Sequence, residues 1–245
     1  MKLINDNLFA NPLRQADFFD HFFGLDTTNI WTDTSADTSA APSLLVAGES
    51  SVVLDPASTD NFECLLSTKT KWDILASRPL LMEVRAQYTE ANTDDANIFI
   101  GFSSIGATAD LLRDDGAGIS TTSASGMWFY KVDGGTKWVC RSQIGAGVGV
   151  TTTTSRHNSA PLSTGLYTTL RIEVVPISST VAEVTYSIDD GVNGMMQMED
   201  ANYQKIKHQL VYTNAVACGA FFGQKTGGAN AEVLLVDYVY AAQKR

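Results

Sequence analysis

Asp17–Trp31 reads DFFDHFFGLDTTNIW. Five aromatic residues fall within these fifteen positions, in a chain that is 9% aromatic. Phe18, Phe19, Phe22 and Phe23 flank acidic positions and His21, and Gly24 breaks the run. In Leu25–Asn29, Asp26 or Thr27 is placed to accept from backbone N–H groups and cap a short helical turn, because short oxygen-bearing side chains reach back to the main chain there. Trp31 is large enough to fill the end of a core. The stretch speaks to fold and carries no catalytic constellation.

Outward from it the pattern is one of short strands. A polar loop, Thr32–Ser43, separates Trp31 from a β run at Ser51–Asp55 that Pro56 ends. Phe62–Leu66 alternates as a half-buried strand. Leu80–Tyr88 is cleaner, with Leu80, Met82, Val84, Ala86 and Tyr88 on one face and Glu83, Arg85 and Gln87 on the other. Asn97–Ser103 follows, with Ile98, Ile100 and Phe102 inward. Ala107–Ser125 is an acidic, Gly- and Ser-rich loop with one helical turn expected at Ala109–Arg113. Gly126–Ile144 is the clearest hairpin, since Asp133-Gly134 tolerates the positive φ that tight reversals need. Gly145–Thr164 reads as a loop or edge strand. Tyr167–Val175 and Val181–Ile188 form a second hairpin, and further strands fall near Met195–Met198, Gln209–Thr213, Cys218–Gln224 and Glu232–Tyr240. About a dozen short strands, with no sustained helical stripe, linker or repeat, predict an antiparallel sandwich. The predicted organisation is an irregular arm over residues 1–15 and one β-sandwich domain over 16–245.

Composition narrows the function classes. The 245 residues carry 27 acidic and 17 basic side chains, a formal charge of −10, which argues against nucleic-acid and anionic-membrane partners. Cys64, Cys140 and Cys218 are far apart and odd in number, a poor disulfide framework and a poor zinc site, so buried free thiols and a reducing folding compartment are expected. The opening MKLINDNLFANPLRQ has no apolar signal region, and no run approaches a membrane span, so the expectation is a soluble protein made in a cytoplasm without an export signal.

Three stretches carry a resemblance. DFFDHFFGLDTTNIWT is similar to the opening stretch of the concanavalin A-like (laminin G-like) superfamily, VLLVDYVYAAQKR resembles its closing strand, and LLMEVRAQY resembles its paired strand bearing Glu and Arg. Together they cover about a third of the chain. The resemblance implies an all-β, antiparallel jelly-roll sandwich, an architecture that hosts lectins, glycosidases and structural modules alike. More narrowly, with AVACGAFFGQKTGGANAEVLLVDYV as the most reminiscent segment, the chain resembles small virion proteins of tailed bacteriophages that decorate or cement the capsid, often as trimers. That implies a non-enzymatic virion protein, made in the host cytoplasm. Its partners would be the major capsid protein or neighbouring subunits, and it would be a homo-oligomer.

Retaining glycoside hydrolysis needs two carboxylates about 5–5.5 Å apart; the E-x-D-x-x-E strand that supplies them in the glycosidase branch of the superfamily is absent. His21, His157 and His208 are the only histidines, and no G-x-S-x-G is present. Asp94, Asp95, Asp114 and Asp115 are the candidates for a calcium site, with solvated turn acids the plainer reading; Asp189-Asp190 reads as a hairpin turn. No cofactor is otherwise implied. Trp128, Tyr130 and Trp138, on the Gly126–Ile144 hairpin, are the candidate binding residues. Core packing, a protein interface and sugar stacking all remain open for them. The expected function is capsid decoration, with a carbohydrate-binding, lectin-like module as the alternative.

Overall fold

A computed structural model of the protein describes residues 15–33, 35, 41–45, 50–56, 58–74, 78–89, 95–104, 124–145, 148–159, 166–212, 214–229 and 232–244. Among these the strands are β1 (Gln15–Asp20), β2 (Trp31–Asp33), β3 (Ser43–Leu44), β4 (Val52–Leu54), β5 (Glu63–Thr68), β6 (Trp72–Ile74), β7 (Leu80–Thr89), β8 (Ala96–Ser103) and β9 (Gly126–Lys131). They continue with β10 (Lys137–Ile144), β11 (Val148–Asn158), β12 (Thr168–Pro176), β13 (Val181–Asp189), β14 (Met196–Gln197), β15 (Lys207–Val211), β16 (Val216–Thr226) and β17 (Val233–Lys244). The chain is an all-β, antiparallel, concanavalin A-like jelly-roll sandwich. Gln15, expected in the arm, begins β1; the rest of the arm and the helical turn expected at Ala109–Arg113 lie outside the described residues.

One sheet has nine strands, ordered β14-β13-β12-β7-β17-β4-β3, with β1 also on β17 and β15 also on β13. The other has eight, ordered β11-β10-β9-β8-β16-β5-β2, with β6 also on β16. The opening aromatic stretch is the crossover between them, since β1 pairs with β17 and β2 pairs with β5. Asp20 holds this crossover. Its Oδ1 accepts from the Phe22 N–H (2.8 Å), and its Oδ2 accepts from the Trp31 indole N–H (2.7 Å). Phe22, at φ +51°, thereby turns its ring inward against Trp31 (centroids 5.4 Å) and Phe222 (6.1 Å). The expected cap forms at Asp26, not Thr27: its Oδ1 accepts from Thr28 N (2.9 Å) and Asn29 N (2.8 Å). Asn29, through its side-chain and backbone hydrogen bonds, holds this carboxyl below its ordinary pKa.

The interior between the sheets takes alternate residues of each strand, such as Met82, Val84, Leu170, Ile172, Val184 and Tyr186 from one sheet and Ile98, Ile100, Met127, Phe129, Cys140 and Phe222 from the other. Both expected hairpins form, with Cys140 opposite Phe129 and Ile172 opposite Tyr186. Gly134 takes the positive φ (71°) that the first hairpin's turn requires. The second face of the eight-stranded sheet is buried too, around Leu65, Phe99, Trp128, Tyr130 and Phe221. This is why β5, expected to be half-buried, is buried at every position, as are β8 and β9. Within the stretch expected as a loop or edge strand, Val148–Asn158 forms β11, paired to β10 at the end of its sheet.

The three thiols are buried and unbridged. Burial pushes Cys64 and Cys218 up to about 12, and Cys140 well above its ordinary value. Among the described residues no helix is long and apolar enough to cross a membrane.

Candidate functional site

The three aromatics singled out in the sequence do not form one surface. Trp138 points between the sheets, whereas Trp128 and Tyr130 occupy the opposite face of the eight-stranded sheet. Their exposures are 3%, 0% and 8%. Trp128 reaches that burial by lying against two glycines: a Cβ on Gly101 would stand 3.0 Å from its Cδ1, and one on Gly126 would stand 2.7 Å from its Cζ2. Phe99 packs beside it at 5.8 Å and meets Phe221 edge-on at 4.7 Å. The Arg141 guanidinium is held by Gln143 Oε1, with Nε at 2.9 Å, and the Gln143 amide donates in turn to the Ala124 carbonyl (2.5 Å). A cavity of about 10 Å³ beside Trp138, lined also by Tyr88, Ser159 and Leu170, has room for one water and none for a sugar ring. All three aromatics are packing residues in this conformation.

The motifs that carried the fold resemblance converge instead on the outer face of the nine-stranded sheet, where β7 lies between β12 and β17 and β1 lies on β17. Glu83 Oε2 accepts from Arg171 Nε (2.9 Å) and Nη2 (2.7 Å), while Tyr238 donates to Glu83 Oε1 (2.6 Å). Burial, and then the adjacent Glu83 carboxylate, push the Tyr238 phenol up. Arg85 pairs with Asp237 and lies 4.3 Å over the Tyr167 ring. His21 stands between Ser50 Oγ (2.5 Å from Nδ1) and Asp237 Oδ1 (3.7 Å from Nε2), and Phe23 stacks on it at 5.5 Å. At 3.7 Å, with Arg85 already on Asp237, this trio lacks the carboxylate–imidazole hydrogen bond that orients a catalytic base.

The other two histidines are each engaged by neighbouring polar groups. His208 is buried between the Ser142 hydroxyl (2.6 Å) and the Thr153 hydroxyl (3.1 Å), with Tyr186 edge-on at 5.1 Å, and burial depresses its pKa to about 4. His157 Nε2 accepts from the Glu199 N–H (3.3 Å); burial, then the neighbouring Arg156, lower its pKa.

Sequence reading passed over the turn between β14 and β15. Tyr203 there is 67% exposed, with φ +62°. The Arg156 guanidinium sits 4.4 Å over one face of its ring and is tied to Glu199 Oε2 (2.9 Å), whose other oxygen accepts from Lys205 (2.7 Å). Asp200 closes the turn, accepting at Oδ1 from Asn202 N (2.8 Å) and Gln204 N (3.0 Å). A lone Tyr in Asp200–Gln204, with no alternation and no aromatic neighbour, gives no signal of exposure in the sequence.

Of the calcium candidates, Asp94, Asp114 and Asp115 lie outside the described residues. Among the described residues no three His, Cys, Asp or Glu side chains gather as a metal site. Asp190 is a turn residue, accepting from Val192 N (3.0 Å) and Asn193 N (2.8 Å).

Comparison with solved structures aligns nearly the whole sandwich. The carbohydrate-recognition domain of Emp47p superposes over 95% of this chain and 98% of its own, with TM-score 0.59 and 13% identity. The fold is that of lectin carbohydrate-recognition domains. The legume lectin-like domain from Entamoeba histolytica covers 86% of this chain and 89% of its own (TM-score 0.56, 10% identity). Arcelin-5, a lectin-like defense protein from Phaseolus vulgaris, covers 94% and 99% (TM-score 0.53, 9% identity). No family model matches the chain, and no curated protein matches it in sequence. These neighbours correct the expectation of a phage virion protein that decorates the capsid: the sandwich is matched by lectin-like domains, and by a Shewanella oneidensis protein of unknown function (TM-score 0.53, 16% identity). The physical reason is visible in the fold. The segment most reminiscent of a virion protein, AVACGAFFGQKTGGANAEVLLVDYV, supplies the pairing strands β16 and β17, so it reports the sandwich and not what it serves.

Proposed function

We propose that the protein is a non-enzymatic carbohydrate-binding module of lectin type. The observation that supports this reading is the end-to-end likeness to the Emp47p carbohydrate-recognition domain, 95% of one chain against 98% of the other. The chain's acidity favours neutral sugars over sialylated or sulfated ones. Single-sugar contacts are weak, so we expect a homo-oligomer that gains avidity by presenting several copies of one site. The test is a glycan array probed with the purified full chain, once with calcium and once with chelator, alongside light scattering. Reproducible glycan hits in either condition are the expected result, and an array blank in both overturns the proposal.

A further inference from the structure

We propose that Tyr203 is the stacking platform of a subsite for a neutral pyranose, an inference that rests on the carbohydrate reading above. A sugar ring presents C–H faces that pack on an aromatic ring and hydroxyls at its rim that need polar partners. The platform must therefore be exposed on one face, fixed in direction and surrounded by uncommitted hydrogen-bonding groups. Tyr203 meets all three conditions. Tyr203 is two-thirds exposed, with the Arg156 guanidinium 4.4 Å over one face of its ring.

Its direction is fixed by the turn. Tyr203 N donates to Asp200 O (3.1 Å), Asp200 N donates to Gln204 O (2.9 Å), and Glu199 pairs across the turn with Lys205. The left-handed φ of +62° is one that favours glycine or asparagine. A tyrosine held there without core burial is a feature that folding alone does not account for, and such backbone outliers concentrate at binding sites.

The surrounding polar groups decide the ligand class. Among the described residues, the Tyr203 hydroxyl, the Asn202 amide and Gln204 Oε1 are uncommitted. By contrast, the charged groups are satisfied among themselves: Arg156 and Lys205 share Glu199, and the Asp200 carboxylate takes backbone N–H groups. The Lys205 hydrogen bond holds Glu199 below its ordinary pKa, so it stays ionised and keeps both cations neutralised. Two cations against two carboxylates leave no net charge to select an acidic sugar. Phe23 and Phe19 are also exposed, but Phe23 stacks on His21, and the polar groups beside them, Glu83, Arg85 and Asp237, are already engaged with one another.

The experiment compares full-length wild type, Tyr203→Phe and Tyr203→Gly on one array carrying neutral hexopyranose oligosaccharides beside sialylated and sulfated ones, with thermal melts alongside. Glycine suits φ +62°, so Tyr203→Gly is expected to melt no lower than wild type. Loss of one aromatic stack predicts about tenfold weaker binding of neutral glycans by Tyr203→Gly, with Tyr203→Phe retaining most of it. Wild-type binding by Tyr203→Gly overturns this inference while the lectin reading stands. Wild-type binding confined to acidic glycans overturns the ligand class. No glycan bound by wild type overturns the lectin reading and the inference with it. Should Tyr203→Gly melt early, the wild-type Tyr203 ring resonances, followed by NMR on titration with the best neutral glycan, decide the same question: unmoved resonances overturn the inference.

Discussion

Acid should weaken this fold through one buried imidazole. His208 is 1% exposed, held neutral between two hydroxyls, and its pKa falls from 6.5 to about 4 because burial penalises the charged form. An unfolded chain protonates the same group near 6.5, so between these values the unfolded state binds more protons than the folded one. The stability contribution is therefore intact above pH 6.5 and is lost as the pH falls, levelling off below the folded pKa of about 4. At about 1.4 kcal/mol per pH unit, the whole loss is about 3 kcal/mol, and about 2 kcal/mol of it is gone by about pH 5. The clean comparison is His208→Gln, whose amide offers a donor and an acceptor to Ser142 and Thr153 but does not titrate. Urea unfolding near pH 7.5 and near pH 5 should show wild type losing about 2 kcal/mol more than His208→Gln between the two conditions. Parallel losses in the two proteins would refute the assignment, because the other titrating groups are common to both.

Other perturbations follow from the packing. Glu83→Ala leaves Arg171 and the Tyr238 hydroxyl without their shared partner on a largely buried face, and should lower the unfolding free energy by about 3 kcal/mol in urea titration. Trp128→Ala should cost about 3–5 kcal/mol, a loss of fold stability rather than of a surface contact. A Cβ at Gly101 would collide with the Met127 carbonyl oxygen on β9, so Gly101→Ala should cost about 3 kcal/mol or prevent folding, read by the same titration and by yield. Cys64, Cys140 and Cys218 should resist a thiol reagent near pH 8 in the native protein and all react in denaturant, because burial keeps each protonated and shielded.

Alternation in Leu80–Tyr88 and Val181–Ile188, and the Asp-Gly turn after Lys131, made the strands and hairpins legible, since these signals are local and side chains alternate along any strand. The Asp17–Trp31 stretch showed its capped turn and its core-filling Trp31, whereas the crossover between the sheets, held by Asp20, came only from the pairing of β1 with β17 and β2 with β5. The sites were not legible in this way. Whether Trp128 or Met127 faces solvent depends on what covers the second face of the sheet, and alternation assigns faces without saying which are covered. The convergence of Glu83, Arg171, Tyr238 and Asp237 needs strands that are distant in sequence to become neighbours. Tyr203 needs Arg156, far away in the chain, to lie over its ring. Strand content and hairpins were decided by residues acting on near neighbours. Exposure, long-range ion pairs and the aromatic platform were decided by which strands pair, a choice made by burial of the whole sandwich and recorded in no single stretch.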